Sequence, residues 1–161
     1  MTTATYTALG KYLDLLLDAI CVVDKDGHFM FVSAGGERIF GYRPDEMIGR
    51  QMLELIHPED KDKTLKAVDH IVAGQPEPHF ENRYIRKNGD VVHIMWSARW
   101  SEEDQCRIAV ARDITLRKQA EAMQQAVFAI AEASHTSDDL CSLYPQIHQI
   151  IGGLLPAVNC V

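Results

Sequence analysis

The dipeptide Asn88-Gly89 constrains this chain more than any other pair of residues, because it lies between two runs with the alternating pattern of β-strands. Upstream, Phe80 to Arg86 reads as one strand; downstream, Asp90 to Trp100 reads as its antiparallel partner. On the second strand Val92, Ile94, Trp96, Ala98 and Trp100 share one apolar face, and Val91, His93, Met95, Ser97 and Arg99 share a mixed one. The apolar face therefore points to a core or a cavity. Plain packing of the two tryptophans against a helix is the first reading. The alternative is that Trp96 lines a pocket for a small planar ligand.

A third strand, Gln105 to Asp113, follows through the polar turn Ser101 to Asp104. Upstream of the hairpin, Ala19 to Asp24 and His28 to Ser33 read as two more strands joined by Asp24-Lys25-Asp26-Gly27, with Gly27 free to take positive φ. An amphipathic helix is expected over about Thr5 to Leu17, a short weak one over Ser33 to Gly41, and another starting at Pro44. His57-Pro58-Glu59-Asp60 opens a longer helix carrying Leu65, Val68, Ile71 and Val72, which stops at Gly74. Together these elements make an α+β domain of about 110 residues, a usual domain size.

The net charge of −7 argues against a nucleic-acid groove or an anionic membrane surface. No apolar run is long enough to span a bilayer, and the Leu13 to Val23 stretch lacks the flanks of a signal peptide. Cys21, Cys106, Cys141 and Cys160 are scattered without CxxC spacing, which reads as buried or free thiols in a reducing, cytoplasmic compartment. Enzyme motifs are also missing: there is no Walker A loop, no HExxH and no GxSxG. Ser134-His135 lacks the flanking residues of a kinase phospho-acceptor box, so no catalytic residue and no metal site is assigned.

At Asp113-Ile114-Thr115-Leu116-Arg117-Lys118 the period changes from strand to helix. Leu116, Ala120, Met123, Val127 and Ile130 then recur in steps of four and three, the a/d seam of a coiled coil. Asp113 places a carboxylate at the helix start, four residues before Arg117, a spacing that suits an ion pair.

The order of elements and six local motifs resemble the PAS domain, a family of sensory modules, over roughly Leu15 to Thr115. The motifs are Val22-Val23-Asp24-Lys25-Asp26-Gly27, Glu37-Arg38-Ile39-Phe40-Gly41-Tyr42, Glu46-Met47-Ile48-Gly49-Arg50, His57-Pro58-Glu59-Asp60, Arg86-Lys87-Asn88-Gly89 and Asp113-Ile114-Thr115 followed by Arg117-Lys118. The resemblance implies a PAS-like five-stranded antiparallel sheet with short flanking helices, and a signal-relay role for Asp113, Thr115 and Arg117. Phe40, Asn82, Ile94 and Trp96 are the candidate pocket lining. The chain departs from the family pattern at Ser33, where Asn is common, at Gly35 and Gly36, and at His93 in place of an aromatic residue. These changes suggest a looser region around Ser33.

Among the family's cofactors, the light-sensing flavin adduct needs an Asn-Cys-Arg-Phe run that is not in the sequence. Haem needs a His early on the long helix, whereas His70 comes late and reads as an exposed residue near the helix C-terminus. A non-covalent small ligand, flavin included, stays open, with Asn82 and Trp96 as contacts; the plainer reading of Asn82 is an exposed or backbone-satisfying residue.

Residues from about Met123 to Val161 resemble the opening helices of a GAF domain, so the ending looks like a cut through a larger protein. The resulting division is 1–17 amphipathic helix, 18–116 PAS-like domain, 117–134 signalling helix and 135–161 start of a GAF-like domain. The expected function is sensory input and relay in a cytoplasmic protein of the sensor histidine kinase type, a homodimer through its N- and C-terminal helices that acts on a downstream effector domain. The alternatives are a ligand-free dimerisation scaffold or the input module of a cyclic-dinucleotide enzyme.

Overall fold

The computed structural model of the chain describes residues 15–75 and 77–136, together with Pro145, Ile147, His148 and Gly152. Two compact units divide between Thr115 and Leu116. The first is an antiparallel sheet of five strands: β1 (Ala19–Asp24), β2 (Phe29–Val32), β3 (Glu77–Ile85), β4 (Val91–Ser101) and β5 (Cys106–Asp113). Their order in space is β2-β1-β5-β4-β3, so the crossover from β2 to β3 carries the helices. These are α1 (Gly35–Phe40), α2 (Pro44–Met47), 3₁₀ turns at Met52–Glu54 and Pro58–Asp60, and α3 (Lys61–Val72).

Both hairpins use one device. Gly27 donates to the Asp24 carbonyl and Asp24 to the His28 carbonyl; Gly89 donates to the Arg86 carbonyl and Arg86 to the Asp90 carbonyl. Gly27 and Gly89 have φ of 91° and 92°, so each closes a three-residue loop with a left-handed last residue. The strand β3 begins at Glu77, earlier than the Phe80 start expected from the sequence. Pro78 is tolerated there because β3 is an edge strand and its register shifts between Glu77 and Phe80.

The alternation on β4 holds: Val92, Ile94, Trp96 and Ala98 are buried. They join Cys21, Val23, Phe29, Phe40, Met47, Ile56 and Ile71 in one core cluster. The expected looseness around Ser33 is not found. Ser33 is buried, its Oγ accepts from the Ile20 N–H at 2.9 Å, and its own N–H donates to the Ile20 carbonyl at 2.9 Å. A Cβ on Gly35 would stand 2.6 Å from the Asp18 carbonyl oxygen and one on Gly36 2.3 Å from Val32 Cγ1. The two glycines let α1 lie directly against the sheet, which makes this corner tight.

The N-terminal helix expected over 1–17 falls mostly outside the described residues. Leu15 to Leu17 form a turn and bend, and the Leu16 carbonyl is taken by the Arg38 guanidinium instead of a helical N–H. The helix α4 (Thr115–Thr136), which lies in the second unit from Leu116 onward, is continuous and runs past the Ser134 limit expected from composition. Leu116, Met123 and Val127 of the expected seam are exposed on it. The GAF-like start expected over 135–161, with Cys141 and Cys160, lies outside the described residues apart from residues 135 and 136 at the end of α4 and the four isolated positions. No helix among the described residues is long and apolar enough to cross a membrane.

Candidate functional site

Two features of the first unit are candidate sites. The first is a cavity of about 40 Å³ under α3, whose walls include Val23, Phe29, Ala67, Ile71, Phe80 and Ala109. Small residues make the room: Ala98 of β4 pairs with Ala109 of β5, and Trp96 with Ala111. Trp96, Asn82, Thr64, Tyr84 and Arg107 are the polar-bearing residues of its lining.

A buried hydrogen-bond chain fixes one side. The Trp96 indole N–H donates to Asn82 Oδ1 at 2.8 Å, the Asn82 amide donates to Thr64 Oγ1 at 2.9 Å, and the Thr64 hydroxyl donates to the Asp60 carbonyl at 2.7 Å. Asn82 is therefore neither exposed nor occupied with backbone, the plainer expectation from the sequence. Its side chain joins β3 to β4 and α3 from inside the core. At the end of this chain the buried Asp60 carboxylate accepts from the Arg83 N–H and guanidinium, and Lys63 lies 3.1 Å away. Burial alone would raise its pKa, but the bonds from Arg83 and Lys63 outweigh that and hold the carboxyl well below its usual range. The Tyr84 phenol is pushed up by burial and keeps its proton at neutral pH.

Of the four candidate lining residues, Asn82 and Trp96 reach the cavity. Phe40 and Ile94 are core residues: Phe40 stacks on Trp96 with centroids 6.3 Å apart, and Ile94 is completely buried. His70 is exposed in the last turn of α3. Arg107, Tyr84 and Thr64 were not singled out from the sequence. Arg107 was legible only by counting back from Ala111 and Ala109 in steps of two, which puts it on the inward face.

The second feature is the tethered end of β5. Asp113 Oδ2 accepts from Arg86 at 2.6 Å, and Asp113 Oδ1 accepts from the Thr115 N–H at 2.8 Å, an Asx turn that starts α4. Arg86 also donates to the Arg38 carbonyl at the end of α1. Thr115 Oγ1 accepts from the His93 N–H at 3.0 Å, and the Ile114 N–H donates to the His93 carbonyl at 2.9 Å. Asp113 and Thr115 thus meet at one knot that binds β5 to β4 and α1. Arg117 belongs to the second unit, where its guanidinium lies 3.9 Å from Glu121.

Residues 29–111, just over half of the chain, match the family described as PAS fold. A domain of the sensory box sensor histidine kinase/response regulator of Geobacter sulfurreducens superposes with a TM-score of 0.58 at 25% identity, over 68% of this chain and 94% of that one. The PAS domain of a Colwellia psychrerythraea protein does so with a TM-score of 0.61 at 27% identity, over 69% and 98%. Among curated proteins, the probable diguanylate cyclase DgcE of Escherichia coli is 30% identical over 88 residues, 54% of this chain. The chain spans only 7% of the length of that relative.

Proposed function

The chain belongs to the PAS-fold family, a sensory and non-catalytic kind of module found in sensor kinases and diguanylate cyclases, and from that premise we propose that it is the input and relay segment of a cytoplasmic signal-transduction protein. The carrying observation is that β4 takes part in both features. Trp96 lines the cavity, and three residues away the His93 peptide groups hold Ile114 and Thr115. Occupation of the cavity shifts β4, the knot at Asp113 loosens or tightens, and α4 receives the change at its first turn. Arg117 takes part from the helix side.

In this reading the full-length protein carries an effector downstream, a histidine kinase or a cyclic-dinucleotide enzyme, with a GAF-like domain beginning near residue 135. The similarity to a sensor kinase domain and to a diguanylate cyclase supports both effectors. The protein acts as a homodimer. The test is Asp113→Ala in the full-length protein: effector output changes while the circular dichroism spectrum stays that of the parent. Unchanged output with the Arg86 bond removed would refute the relay.

A second reading, a ligand-free dimerisation scaffold, draws on the exposed Leu116, Met123 and Val127 of α4. It expects the Asp113→Ala protein to keep both its assembly and its output.

A further inference from the structure

The polar groups that line the cavity are unevenly matched. Trp96, Asn82 and Thr64 satisfy one another, but Arg107 stands apart. It is 6% exposed, and the one acceptor for its guanidinium among the described residues is Met52 Sδ, at 2.7 Å. A thioether is a weak acceptor and carries no charge. No carboxylate lies within ion-pair distance of Arg107 among the described residues. Asp24, the carboxylate that acts on it electrostatically, already accepts the N–H groups of Asp26 and His28 and stands 3.4 Å from the His28 ring.

Buried charges are as a rule paired, because an uncompensated ion in an apolar surrounding is costly. Burial accordingly works against the charge of Arg107. An anion entering the cavity would complete a guanidinium in this position. The Tyr84 phenol, protonated at neutral pH and hydrogen-bonded with Asn82, lies within electrostatic reach of Arg107. The remaining walls, Ala67, Val68, Ile71, Phe80 and Ala109 among them, are apolar.

Size narrows the ligand further. At roughly 10–15 Å³ per water-sized body, about 40 Å³ holds three to four of them. That is far below the roughly 300–1,000 Å³ of pockets for drug-sized molecules. A tetrahedral phosphate would turn oxygens against alanine and isoleucine, which offer no donors. A planar carboxylate suits the fork of one arginine and leaves an alkyl end for the apolar wall.

We propose that the cavity is a binding site for a short-chain monocarboxylate of acetate to propionate size, with its carboxylate on Arg107 and its alkyl end against Ala67, Ile71 and Phe80. The proposal deepens the sensory reading and rests on it for its biological meaning.

The experiment titrates the 161-residue protein with sodium acetate and sodium propionate at constant ionic strength, with sodium chloride as the control. The Trp96 indole N–H resonance and the melting temperature are followed. The expected result is a saturable shift and a higher melting temperature with the carboxylates and not with chloride. Arg107→Met is expected to weaken binding at least about tenfold, the scale of a lost charged hydrogen bond. Its melting temperature without ligand should be equal to or above the parent's, since an unpaired charge is gone. If Arg107→Met does not fold, Ala67→Leu decides, because it fills the alkyl end and should abolish the saturable shift. Shifts that match the chloride control, or binding that survives whichever of these variants folds, would overturn the site. Binding at Trp96 with no response at the Asp113 and Thr115 amides would sink the relay and leave the site standing. No binding together with an altered Asp113→Ala output would do the reverse.

Discussion

Asp60 is a residue whose chemistry is set almost wholly by its neighbours. Its carboxylate is buried yet ionised, because Arg83 supplies three hydrogen bonds and Lys63 a fourth contact. In an unfolded chain an aspartate titrates at about 3.9, and folding depresses that value. Stability from Asp60 is therefore complete above about pH 4 and is lost as pH falls below that towards the folded pKa. Asp60→Asn should lower stability at pH 7 by about 3–5 kcal/mol, the scale for breaking a buried pair. Urea unfolding at pH 7 and at pH 3 checks it: the gap between parent and variant should narrow in acid. A gap that widened would show that the Arg83 bonds are not what holds the carboxylate ionised.

Among the elements, the hairpins give the cleanest contrast. A Cβ on Gly89 meets nothing within 4 Å, whereas one on Gly27 lies 3.0 Å from Gln51 Oε1. Gly89→Ala should cost only the left-handed backbone, about 1–2 kcal/mol. Gly27→Ala should cost more, because Gln51 holds the Asp26 carbonyl and the Leu53 N–H of the adjoining 3₁₀ turn. Denaturant midpoints would order the two variants, and the reverse order would contradict this account. Strand β4 was readable in advance because its apolar residues fall on one face and that face is the buried one. Strand β5 was not so plain. Its bulkier apolar residues, Ile108 and Val110, are exposed, and Arg107 with Ala109 and Ala111 faces inward. Hydropathy alone favours the opposite choice, so the charged member of the cavity stayed hidden. The knot at Asp113 was half legible: the position of the carboxylate was clear, but its partner Arg86 lies 27 residues away on the far side of a hairpin. Local spacing reports only on near neighbours such as Arg117.

For the molecule as a whole, the proposed homodimer makes its prediction on α4. Leu116 and Met123 are large apolar side chains left in water on α4, at 83% and 61% exposure, and a second copy of the helix is the partner the heptad spacing suits. Leu116→Lys with Met123→Lys should convert a dimer to a monomer in sedimentation without altering the sheet's circular dichroism. A double variant with the parent's mass would remove α4 as the interface. The place of β4 in the sheet bears on the same question. The strand is laddered on both edges, to β3 and to β5, so it resists local bending. In the proposed relay a push on Trp96 is carried to His93, about 10 Å along the strand at 3.3–3.4 Å per residue, as the tilt of a stiff beam. At His93 the beam is bonded to Ile114 and Thr115, the last residues before the helical unit. In such a linkage the pivot's stiffness, more than the force at the cavity, sets the gain.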